Sequence, residues 1–106
     1  MMEALVSKQI ISDEQGTSHI LHYLLVSEQI PAGHFFFEEY GVKIEDVGCD
    51  SACIYPITHS RTRIENLLSG LIRHTVTPAT LPDVVEDWAK ENHLPQPKLQ
   101  QVAKAQ

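Results

Sequence analysis

The chain has 106 residues, a length that makes one domain and buries roughly 60–70% of the surface its unfolded form exposes. Fourteen acidic against eight basic residues give a formal charge of −6, which opposes nucleic acid and anionic membrane as partners because Lys and Arg carry affinity for phosphates. No stretch approaches the roughly 18 apolar residues that span a bilayer, and Met1-Met2-Glu3 lacks the basic-then-apolar start of a signal peptide, so the sequence points to the cytoplasm.

In chain order, residues 4–12 (ALVSKQIIS) carry the β-branched Val6, Ile10 and Ile11 and predict a half-buried strand. Asp13-Glu14-Gln15-Gly16 then predicts a hairpin in which Gly16 takes a positive φ. The second strand, 17–27 (TSHILHYLLVS), places Ile20, Leu24 and Val26 on one face and Leu21, Tyr23 and Leu25 on the other. Residues 28–33 (EQIPAG) predict a turn, since Pro31 donates nothing to a ladder and Gly33 permits a reversal. The third strand, HFFFEEYGVKIED, alternates through Phe36, Tyr40, Val42 and Ile44, and Glu38-Glu39 predicts a bulge near Glu38. After a turn at 47–51, residues 52–57 (ACIYPI) predict a fourth strand, at an edge because of Pro56.

Two amphipathic helices follow. Ile64, Leu67, Leu68, Leu71 and Ile72 form one stripe at helical spacing, and Leu81, Val84, Val85 and Trp88 form another, with T-V-T-P between them. Ser60 is the expected first N-cap, with Thr62 and Glu65 a competing capping box; Thr80 with Asp83 caps the second helix. Gly70 inside the first helix predicts close approach of another backbone. Pro95-Gln96-Pro97 ends the second, and 95–106 reads as a flexible tail after a domain of residues 1–94.

The segments Y-G-V-x-I (Tyr40 to Ile44), S-R-x-x-I-E-x-L-L (Ser60 to Leu68) and T-V-T-P-x-T-L-x-D-V-V-E-D-W (Thr75 to Trp88) resemble a family of short, uncharacterised Firmicute proteins known as a domain of unknown function. The resemblance covers most of 17–89. It implies a small bacterial intracellular protein and assigns no catalytic residue.

Cys49-x3-Cys53-x5-His59 offers donor types that zinc accepts, with His34 or His74 to complete four, but a structural zinc site normally has two tight pairs and here the second is missing. No metal or cofactor is expected, and free thiols are. On one extended strand the two cysteines stand roughly 13 Å apart, too far to bridge without a turn between them. His19 and His22 fall on opposite faces of a strand. Asp83, Glu86 and Asp87 read as a solvated face favoured by the helix dipole. His59, Ser60, Arg61 and Arg63, at a helix N-terminus, form a candidate anion site. With five glycines and no G-x-S-x-G, phosphate loop or H-E-x-x-H, the sequence reads as a non-enzyme.

The expected fold is α+β: a four-stranded antiparallel sheet followed by two C-terminal helices packed on one face, ββββαα in two layers. Tyr23, Phe35 and Phe37 are expected on the uncovered face, as the surface of a protein-interaction or regulatory module that forms a homodimer or takes a protein partner. The alternative is a small-molecule or anion sensor at the start of the first helix.

Overall fold

A computed structural model describes residues 1–92 and the backbone strand at 99–104. Strands β1 (Met2–Ser12), β2 (Ser18–Ala32), β3 (Phe35–Asp46) and β4 (Asp50–Thr58) precede helices α1 (Arg61–Arg73) and α2 (Leu81–Glu91), and β5 (Leu99–Lys104) follows. Adjacent strands are antiparallel in the order β1-β2-β3-β4-β5. The expected ββββαα order is therefore present, with a fifth strand drawn from the segment read as a tail; 95–98 and 105–106 of that segment lie outside the described residues. Because β5 pairs with Asp50–Ile54, β4 is an edge only beyond that point. Pro56 sits in the unpaired stretch, where the β3–β4 register jumps between Tyr40↔Thr58 and Val42↔Ile54.

Two expectations about β2 and β3 give way to the register. Gln29, Ile30 and Pro31 are not a turn, since they pair with Glu38, Phe37 and Phe36, and the reversal is confined to Gly33 and His34. Gly33 has φ +64°, at the first position of a two-residue loop, where glycine is favoured. Ala32 and Phe35 close that loop as a hydrogen-bonded pair, so the next pair, Pro31 and Phe36, is non-bonded and the proline's missing N–H would have pointed outward. The β2–β3 ladder also runs without a shift past Glu38; the irregularities fall in β1 between Leu5 and Ser7, opposite Gly41, and in the β4–β5 pairing between Cys53 and Ile54.

The core joins one sheet face to both helices. Leu21, Tyr23 and Leu25 of β2, Val42 and Ile44 of β3, and Ala52 and Ile54 of β4 pack with Ile64, Leu67, Leu68 and Leu71 of α1 and Leu81 and Val85 of α2. Ile72, Val84 and Trp88 are only half-buried, and Ala89 completes the buried side of α2. Tyr23 is fully buried here, and its hydroxyl donates to the Val76 carbonyl at 2.9 Å. The expectation that Tyr23 faces away from the helices is thereby corrected: it lies in register with Ile44 and on the same side as Leu21 and Leu25.

Ser60 caps α1 as expected, its Oγ accepting from the Arg63 N–H at 3.2 Å. Thr80 occupies the N-cap of α2 without a side-chain cap bond, because its hydroxyl turns toward Thr77. At the C-terminus of α1, Val76 N–H donates to Leu71 and Thr75 N–H to Ile72, the Schellman pattern, with Thr75 at φ +51° in the left-handed position. Leu71 and Val76 supply the apolar contact that accompanies this motif, and both are buried. Gln9 Nε2 on β1 donates to the same Ile72 carbonyl at 2.8 Å, giving that terminal acceptor of α1 a second partner.

Glycines 41 and 70 differ in consequence. A Cβ at Gly41 would clash with the Ile54 carbonyl oxygen and lie 2.8 Å from Tyr55 Cβ. No backbone approaches Gly70, contrary to expectation; nothing outside its own helix backbone lies within 4 Å of a Cβ there. Gly41→Ala should accordingly cost about 1–3 kcal/mol or more, whereas Gly70→Ala should stabilise by about 0.5–1 kcal/mol. Thr75→Asn, which tolerates positive φ better than a β-branched residue, should also stabilise, by up to about 1 kcal/mol. Urea denaturation of the three variants checks all three signs.

Candidate functional site

Among the described residues, β2 and β3 have no paired strands beyond Met2↔Ser27 on one side and Tyr40↔Thr58 on the other, so residues 28–39 project as a two-stranded ribbon about 20 Å long. Its tip carries Phe35, Phe36 and Phe37, which are 76%, 68% and 38% exposed. Strand alternation puts Phe35, Phe37, Ile30 and Ala32 on one face of the ribbon, continuous with the sheet face away from the helices. The expected orientation of Phe35 and Phe37 is thus present, without Tyr23. Phe37 also meets the His59 ring, with centroids 4.7 Å apart.

At the base of the ribbon the polar side chains form a chain of contacts. The Tyr55 hydroxyl donates to Glu28 Oε2 at 3.1 Å and lies 3.3 Å from Glu39 Oε1, while His59 Nε2 stands 3.1 Å from Glu39 Oε2. Burial first, then the two glutamates, push the Tyr55 hydroxyl far above the ordinary tyrosine range. Tyr55 is seated over Gly41 and packs with Val26 and Cys53, covering the sheet face that the helices leave open. Farther along that face Lys43 Nζ reaches across β2 to Glu3 at 3.3 Å. The open face is therefore partly roofed by its own long side chains, and its exposed large apolar residues are Phe35 and Phe37 of the ribbon and Leu5 and Ile10 of β1.

The candidate anion residues gather at the start of α1, but two of their three basic side chains meet carboxylates. Arg61 Nε is 3.1 Å from Glu65 Oε2 and its guanidinium lies over the Tyr40 ring, His59 meets Glu39, and Ser60 is occupied as the cap; Arg63 is exposed. Cys49, Cys53 and His59 are not brought together. Both cysteines are free; Cys53 is buried in the open face, with its thiol pushed up by that burial, and His59 follows the far end of β4.

A constellation unanticipated from the sequence sits at the opposite end of the sheet, where the β1–β2 and β3–β4 turns lie side by side. His19 Nδ1 is 3.0 and 3.2 Å from the two oxygens of Asp46, and His19 Nε2 is 2.9 Å from Asp13 Oδ2. Asp13 Oδ1 accepts from the backbone N–H groups of Gln15 and Thr17, each at 2.9 Å, which aims Oδ2 at the imidazole. Cys49 N–H donates to the Asp46 carbonyl at 2.8 Å, and the ligand atoms of His19, Asp46 and Cys49 all lie within 4.8 Å of one another. Hydrogen bonds donated to Asp13 and then to Asp46 raise the His19 pKa above 6.5, and the same His19 contact, followed by the Thr17 N–H, lowers that of Asp13. Elsewhere, α1 and α2 flank an outer groove of about 440 Å³, with Gly70 and Trp88 in its walls and Arg73, His74, Asp87 and Glu91 around them.

Among the described residues no helix is long and apolar enough to cross a membrane. Residues 2–91 match the model of a family described as "Family of unknown function (DUF6514)". No curated protein and no solved structure matches the chain.

The direction of the His19 shift fixes a pH response. A histidine with a raised folded pKa contributes stability fully below its unfolded value of about 6.5 and loses it as pH rises through the folded value. In metal-free buffer the melting temperature of the wild type should fall as the pH rises above about 6.5 more steeply than that of His19→Asn. Equal slopes in a thermal melt series would contradict the pairing.

Proposed function

This chain belongs to the DUF6514 family, whose function is unknown, and we propose that it is a non-catalytic interaction module of the bacterial cytoplasm that forms a homodimer through the β2–β3 ribbon. The observation that carries this is the run of three exposed phenylalanines on a projection that no other helix or strand covers among the described residues. Large aromatic side chains lose little conformational entropy on burial and dominate interface energetics. Exposed apolar surface on the order of several hundred Å² marks an interaction site. A ribbon with Phe35, Phe37 and Ile30 on one face is self-complementary about a two-fold axis, so the same patch serves both copies. The formal charge of −6 disfavours nucleic acid and leaves protein as the partner class.

An anion sensor at the start of α1 has less support, because Arg61 and His59 already face Glu65 and Glu39.

Sedimentation velocity separates these functions. Wild-type protein should sediment as a dimer at micromolar concentration, and Phe35→Ser/Phe37→Ser should sediment as a monomer with its thermal stability retained, since both side chains are exposed in the single chain. A wild type that stays monomeric, or a variant that dimerises equally well, would remove the ribbon as the interface.

A further inference from the structure

The two turns at the end of the sheet remote from the ribbon bring together three donors of different chemistry, and we propose that His19, Asp46 and Cys49 bind a divalent ion of the zinc class. An imidazole nitrogen, a thiolate and a carboxylate oxygen are the protein ligands that zinc prefers, at bonds of about 2.0–2.3 Å. Such bonds at tetrahedral angles set donor atoms about 3.3–3.5 Å apart, so the present spread of up to 4.8 Å closes by roughly an ångström. Cys49 is exposed in the β3–β4 turn, where a rotation of its side chain supplies that movement without disturbing the core.

The surroundings of His19 fit a ligand orientation. Nδ1 faces Asp46, and Nε2 faces Asp13, a carboxylate held in place by two backbone N–H groups. A metal-bound imidazole characteristically donates its other N–H to such a carboxylate, which fixes ring and tautomer. Asp13 is accordingly a positioning residue, while Asp46 is the ligand. The ion replaces the proton that Nδ1 shares with Asp46 and displaces the thiol proton of Cys49, so binding releases protons and strengthens as pH rises. Three protein donors leave a fourth position for water. The ion would tie the β1–β2 turn to the β3–β4 turn, which are joined by the 2.9 Å hydrogen bond from Val47 N–H to the Ile20 carbonyl.

Cobalt(II) titration of the purified, reduced full chain tests this directly, since a thiolate ligand gives a sulfur-to-cobalt charge-transfer band and a tetrahedral site gives intense visible absorption. One equivalent of cobalt should develop both features, and one equivalent of zinc should abolish them. Cys49→Ser should lose the charge-transfer band and Cys53→Ser should retain it. Asp13→Asn should keep the stoichiometry while weakening binding by about 10–100-fold. Circular dichroism of each apo variant verifies folding, and the exposed position of Cys49 makes its serine variant benign to the core. A wild type without the charge-transfer band, or a band that survives Cys49→Ser, overturns the proposal.

Discussion

A single buried hydrogen bond, from Tyr23 to the carbonyl of Val76, fixes how the two layers meet. Tyr23 stands in a central strand and its ring is enclosed by the core, so its hydroxyl needs a partner there, and the segment between the helices supplies one. A buried hydroxyl left unpaired would cost about 1–3 kcal/mol. The partner carbonyl is presented by a Schellman turn that accepts Thr75 in a left-handed conformation to bring Val76 under the sheet. With the linker held at that point, α1 and α2 both lie on the same face. The other face must then protect Val26 and Leu24 by local means, and it does so with Tyr55 laid over Gly41 and Lys43 extended toward Glu3.

Antiparallel connectivity then divides the molecule into two chemically distinct ends. Turns β1–β2 and β3–β4 share one end, which collects Asp13, His19, Asp46 and Cys49. Turn β2–β3 and the start of α1 share the other, which collects the phenylalanines, Glu28, Glu39 and His59. The ribbon exists because β2 and β3 outrun both neighbours. The proposed interface and the proposed ion site therefore lie at opposite ends of β2 and β3.

The helices were legible because burial at a 3.6-residue period writes itself into composition: Ile64, Leu67, Leu68 and Leu71 are the buried face of α1. The four strands were legible for the same reason at period two, and Gly16 marks its turn through a positive φ. Tyr23 was misplaced because β2 is apolar on both faces, and alternation alone does not say which face meets the helices. Pro31 misled because a proline at a non-bonded ribbon position leaves no mark that separates it from a turn proline. Cys49 paired by spacing with Cys53, whereas its neighbours in space come from two hairpins. An ordered meander places the 13–17 and 46–50 turns together, so the expected topology itself held the signal for His19, Asp46 and Cys49. Leu99–Lys104, polar in sequence, gains its strand character from the free edge of β4 rather than from its own pattern.

Concentration-dependent amide hydrogen exchange on the wild-type chain tests the central claim most directly, because it reports the interface residue by residue. Association through the ribbon predicts that exchange slows at 30–39 as protein concentration rises, while β1 at 2–12 is unchanged. Slowing confined to β1 would place the contact on the sheet edge, and exchange at 30–39 that stays independent of concentration would contradict the account.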